Sequence, residues 1–148
     1  MSFLIQLIGA YIATVSASLV VETPRTLLFK TGLVGAFGYG IYLIVLPHYD
    51  VVGATLLAGI GIAIMSQTFA RVFKAPVTMF YIPGFFPLVP GIGIYRTAFH
   101  YINQDSGQAG HYLLQTLLIA GAIALSIFLV DSLLEIYSYL RKKSNKEQ

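Results

Sequence analysis

Five apolar stretches, at about 3–21, 29–46, 51–68, 76–95 and 112–131, each have the length of a membrane span. A hydrocarbon core about 30 Å thick takes roughly 17 to 25 residues of helix to cross. The expected fold class is therefore all-α: a polytopic membrane protein of about five transmembrane helices in one domain. Composition agrees, with 57% of residues hydrophobic and 10% charged, whereas soluble domains carry about 25% charge. In water such a chain would expose contiguous apolar patches and associate. Once the spans are placed, almost nothing of the 148 residues remains for an extramembrane catalytic domain. The second and third spans are separated only by Pro47, His48, Tyr49 and Asp50, which reads as a tight hairpin. A re-entrant pair is the competing interpretation.

Charge placement tests the span count, because Lys and Arg collect in short cytoplasmic loops. With five spans, Arg25 and Lys30, Arg71 and Lys74, and the tail residues Arg141, Lys142, Lys143 and Lys146 all fall on one side, and only Arg96 falls opposite. The expected topology has the N-terminus outside and the C-terminus in the cytoplasm of a cell membrane, with a basic tail over 140–148. The net charge of +3 thus suits orientation and anionic headgroups rather than nucleic acid. No Lys or Arg precedes the first apolar run, so that run reads as a retained span rather than a cleaved leader. Cysteine is absent, and His48, His100 and His111 are too scattered for metal-ligand spacing, so no metal or cofactor is expected.

Helices in lipid gain little from hydrophobicity and need small residues for close approach. Such residues recur at four-residue spacing as Gly9, Ala13 and Ala17, as Gly32, Ala36 and Gly40, as Ala54 and Ala58, and as Ala120 and Ala124. These stripes are expected to be helix contacts, within the chain or with another subunit. The tail after Tyr139 is polar and is expected to fray into solvent.

The fourth stretch carries the most information. From Pro83 to Gly93 it holds Pro83, Pro87, Pro90, Gly84, Gly91 and Gly93, and it cannot be a regular helix. Unpaired backbone in hydrocarbon costs several kcal/mol per group, so an open segment at this depth must be buried in protein or line a wet cavity. Transporters use such broken helices to present carbonyls, amides and half-helix N-termini at mid-membrane.

Pro83-Gly-Phe-Phe-Pro87-Leu-Val-Pro90-Gly91, followed by Tyr95-Arg96, resembles the signature of the threonine/serine exporter family. Lys74-Ala-Pro76, after a span ending Ser66-Gln67-Thr68-Phe69-Ala70-Arg71, resembles the family's run into that motif. The layout is similar over the whole chain and specific over about 66–96. The short length resembles the small membrane subunit of the family's split form. The resemblance implies export of threonine, serine or a dicarboxylate such as succinate, driven by an ion gradient and shared with a larger membrane partner.

Individual residues carry two readings each. Arg96 either pairs with a substrate carboxylate through parallel hydrogen bonds or anchors the helix at the interface. Tyr95 supports substrate or joins the aromatic belt. Ser66 and Gln67 face the broken segment or bond between helices. Asp131, after nineteen residues without charge, and Glu135 one turn on, relay an ion if they lie within the membrane, or balance the basic tail if they are wet. The expected substrate-contacting set is Pro83, Pro87, Pro90, Gly91, Tyr95, Arg96, Ser66 and Gln67, with Asp131 and Glu135 for ion coupling. Gly91-Ile-Gly93 is no dinucleotide fingerprint, and no serine sits in a hydrolase elbow, so no enzyme is expected. The competing function is a non-transporting scaffold that stabilises or orients a partner.

Overall fold

The computed structural model describes the backbone of residues 2–144 and the side chains of residues 3–140. Its elements are α1 (Ser2–Val20), α2 (Leu28–Val45), α3 (Val51–Phe73), α4 (Thr78–Phe85), a 3₁₀ turn (Phe86–Leu88), α5 (Gly91–Ile102) and α6 (Ser106–Ser144), so the described residues are all-helical. α1, α2, α3 and α6 are each long and apolar enough to cross a membrane, and the bent pair α4 and α5 makes a fifth span if counted as one. The last stretch of the expected tail, 145–148, lies outside the described residues, while helical backbone continues through Ser144.

Local chemistry sets the ends. After α1 the chain turns through Glu22, at φ 57°, and the Thr23 amide returns to the Ser18 carbonyl at 2.9 Å. Asp50 caps α3 by accepting from the Gly53 amide at 3.2 Å. Lys74 ends α3 in the left-handed region at φ 50°, a place usually taken by glycine. Asp105 caps α6, accepting from the Gln108 amide at 3.2 Å.

The fourth span breaks as its prolines require. Pro83 is accommodated inside α4, Pro87 opens the 3₁₀ turn, and Val89 before Pro90 is extended at ψ 128°. Pro90, at φ −79° and ψ 55°, forms an inverse γ-turn in which the Gly91 amide bonds the Val89 carbonyl at 2.8 Å. The two halves meet at a bend of 49°. They also belong to different neighbourhoods. α4 packs against α1, α2 and α3, whereas α5 packs on α6 and buries none of its residues fully.

The core lies where α4 wedges between α2 and α3. Phe80 is fully enclosed and meets Phe69 edge-on at 5.9 Å, with Val34, Ile62, Phe85 and Leu88 around it. Outside this core, Leu4, Ile8 and Ile12 of α1 and Leu114, Leu117, Phe128 and Leu133 of α6 are exposed, the outward apolar dress of helices solvated by lipid.

Close approach uses small residues, but not all of the expected ones. Ala54, Ala58, Gly32 and Gly40 are buried, whereas Ala120 and Ala124 are exposed, as is Gly9. α6 instead turns Ala109, Thr116, Ala122, Ser126 and Val130 inward, and α1 turns Ala10, Thr14, Ala17 and Ser18. Hydroxyls take the place of alanine because each can bond its own helix: Thr14 to the Ala10 carbonyl at 2.8 Å, Thr116 to that of Tyr112 at 2.7 Å. A hydroxyl so satisfied packs as a small group. Ser18 and Thr31 also bond each other across α1 and α2 at 2.8 Å. At Gly35 a Cβ would come within 2.8 Å of Thr14 Cβ, so these two helices meet backbone against side chain.

Candidate functional site

Two polar groupings interrupt the apolar bundle, one beside the break and one toward the opposite end, where Arg71 and Lys74 lie. The first is a hollow of about 370 Å³, within the roughly 300–1,000 Å³ of small-ligand pockets. α2 contributes Tyr39 and Tyr42 to its wall, α3 Thr55, the break Pro87 and Pro90, α5 Gly93 and Arg96, and α6 Tyr112, Gln115 and Thr116. Tyr39 and Tyr42 stack at 5.5 Å, which presents two phenols side by side. Gly93 is the point where α5 can approach α6, since a Cβ there would run into the Thr116 side chain. α5 starts at this hollow, after Pro90, with no side chain capping its first amides.

Arg96 is the cation of the hollow. Its guanidinium lies over the Tyr112 ring at 5.4 Å, within reach of a cation–π contact. His100, one turn along α5, stacks on the same ring at 5.3 Å and approaches Asp105 at 3.4 Å. No carboxylate lines the hollow, and among the described residues no Asp or Glu oxygen lies within 4 Å of Arg96. The arrangement thus offers positive charge and fork-shaped donors with no internal acid to neutralise them, which suits an incoming carboxylate.

The second grouping joins three helices. Asp131 Oδ1 on α6 accepts from the Tyr81 hydroxyl of α4 at 2.5 Å and from Gln67 Nε2 of α3 at 2.7 Å. Gln67 Nε2 also donates to the Tyr81 oxygen at 3.2 Å. Gln67 lies six positions before the end of α3 at Phe73, about 9 Å along the axis at 1.5 Å per residue. The Asp131 carboxylate therefore sits alongside the helical length of α3 rather than past its end.

The expected site residues distribute unevenly between these places. Pro87, Pro90 and Arg96 border the hollow. Pro83 is buried against the core and Ser66 is buried with its hydroxyl unpartnered, while Gly91 and Tyr95 are exposed, Tyr95 stacking on Phe99 at 6.1 Å. Gln67 and Asp131 meet in the second grouping, and Glu135 is exposed on α6 one turn beyond it. Sequence reasoning missed Tyr39, Tyr42, Thr55, Tyr112, Gln115, Thr116 and Tyr81. The tyrosines lie within apolar runs of sequence, and only the fold brings their hydroxyls to polar partners or to the hollow.

A bundle of apolar helices with one span broken inside it, and a cation-bearing hollow beside the break, belongs to the multi-pass membrane transport proteins. The family described as Threonine/Serine exporter, ThrE, matches residues 6–133, and the chain belongs to that family. The matched region takes in every expected site residue except Glu135. Neither the curated proteins nor the solved structures yield a match.

Proposed function

We propose that this chain is the small membrane subunit of a two-part exporter that moves threonine, serine or a small dicarboxylate such as succinate out of the cell. The observation that carries this reading is Arg96 at the hollow beside the break, with no acid among the described residues opposing it. A substrate carboxylate takes the guanidinium, and the phenols of Tyr39 and Tyr42 and the amide of Gln115 offer partners for amino or hydroxyl groups. Pro87 and Pro90 hold the backbone open at this point. The N-terminus faces outward and the C-terminus inward, by the placement of the basic loops. A larger membrane subunit completes the hollow on the side that α5 leaves uncovered. An ion gradient supplies the work, with Asp131 rather than the exposed Glu135 as its acid.

The test is co-purification of the tagged chain from native membranes, then efflux of labelled threonine, serine and succinate from proteoliposomes with and without the protein that accompanies it. Efflux requiring both chains, and lost in Arg96→Gln with the complex intact, is the expected result. Efflux from this chain alone would refute the two-part reading. A complex that forms but moves no solute, with or without the substitution, would replace the exporter by a scaffold.

A further inference from the structure

The Gln67–Tyr81–Asp131 grouping adds a polar junction between α4 and α6 to the direct packing of α3 on α6. α4 belongs by its packing to α1, α2 and α3, and its contact with α6 by hydrogen bond is through Tyr81. One oxygen of one carboxylate receives both donors, so the strength of the junction depends on the charge of that carboxylate. Bonds to an ionised acceptor are roughly twice as strong as neutral ones. Once Asp131 takes up a proton from water, the charge that draws both donors is gone and the carboxyl carries a donor of its own. Three donors, from Asp131, Tyr81 and Gln67, then compete for the same few acceptors.

We infer that Asp131 is the proton-binding group of a latch: ionised, it holds the first half of the broken span to α3 and α6 through Tyr81 and Gln67, and protonated, it releases that half. This rests on the transport reading for its purpose but not for its operation. Tyr81 and Gln67 are positioning residues, acting through Asp131 and touching no solute.

The surrounding charges leave Asp131 as the group that switches. From α3 the facing group is Gln67, which does not titrate, and Arg71 one turn later is exposed, as is Lys74. α1 carries no charged residue, and on α2 the Lys30 ammonium lies over the Phe73 ring at 3.7 Å. On α6 itself Glu135 is exposed. Among the described residues no Lys or Arg nitrogen lies within 4 Å of the Asp131 carboxylate.

The chain has no cysteine, so two spin labels can be placed without removing anything. Ile82→Cys on α4 and Leu133→Cys on α6 use side chains that are 56% and 66% exposed. Inter-label distances would be measured on the full chain in lipid, with any co-purifying subunit, at pH 8 and pH 5. The expected result is one compact population at pH 8 and a second, longer one that grows severalfold at pH 5. Asp131→Asn and the near-isosteric Tyr81→Phe should each show the longer population at both pH values. Distances that do not respond to pH, or that still respond in Asp131→Asn, would overturn the latch. Efflux that fails while distances respond would remove the exporter reading and leave the latch standing.

Discussion

Gly59 sits where α3 meets α6, and the stability of that seam can be worked from its geometry. A Cβ at Gly59 would lie 2.8 Å from Ser126 Cβ and 3.3 Å from Phe85 Cε1, whereas carbon atoms are at ease near 3.5–4.0 Å. Ser126 Cβ is fixed to its backbone, so α6 must move outward by about 1 Å to admit the new methyl group. Overpacking of this kind costs about 1–3 kcal/mol, and replacing a helical glycine by alanine returns about 1 kcal/mol of propensity. Gly59→Ala should therefore destabilise the protein, by up to about 2 kcal/mol. Adding Ser126→Gly removes the colliding atoms, so the double variant should be more stable than the sum of the single effects by more than about 0.5 kcal/mol. The chain has no tryptophan, so helix loss by circular dichroism during titration with denaturing detergent is the suitable assay. A Gly59→Ala protein at least as stable as the parent, or single effects that simply add, would refute the claim that this seam is closed to a methyl group.

Other substitutions test other points of the fold by the same assay or by transport. Asp50→Ala removes the cap that accepts from Gly53 and should cost about 1 kcal/mol. Lys74→Gly relieves a left-handed non-glycine residue and should stabilise by up to about 1 kcal/mol, so these two changes at the ends of α3 should move stability in opposite directions. Gly93→Val pushes α5 off Thr116 at the wall of the hollow and should cut efflux at least tenfold while α1, α2 and α3 keep their helicity. A variant with full efflux would show that the spacing of α5 and α6 does not shape the hollow.

The layout of spans was legible because hydrophobicity reports the solvent directly, and the break was legible because three prolines cannot be carried by one helix. Helix length was less so. α6 runs 39 residues, well past the apolar stretch at 112–131, because polar residues at either end continue a helix that a hydropathy reading truncates. The small-residue stripe at Ala120 and Ala124 is exposed within this chain, because spacing shows that a face is narrow, not which neighbour lies on it. The face that is covered carries Thr116 and Ser126, whose hydroxyls bond within α6. In the candidate site, Gln67 and Asp131 stood out as polar groups in apolar runs. Tyr81 did not, because a tyrosine among Met79, Phe80 and Ile82 looks like packing until a carboxylate fifty positions away is brought to its hydroxyl.

The divided packing of the fourth span also has a mechanical meaning. α4 is clamped among α1, α2 and α3, α5 rides on α6, and Val89 and Pro90 are the flexure between them. α5 is 12 residues long, a lever of about 18 Å at 1.5 Å per residue, so a rotation of about 10° at the flexure carries its far end about 3 Å. Arg96 sits midway along that lever and Pro90 at its fulcrum. A small change of angle therefore widens or narrows the hollow, and the stiffness of two residues sets how much force the stroke needs.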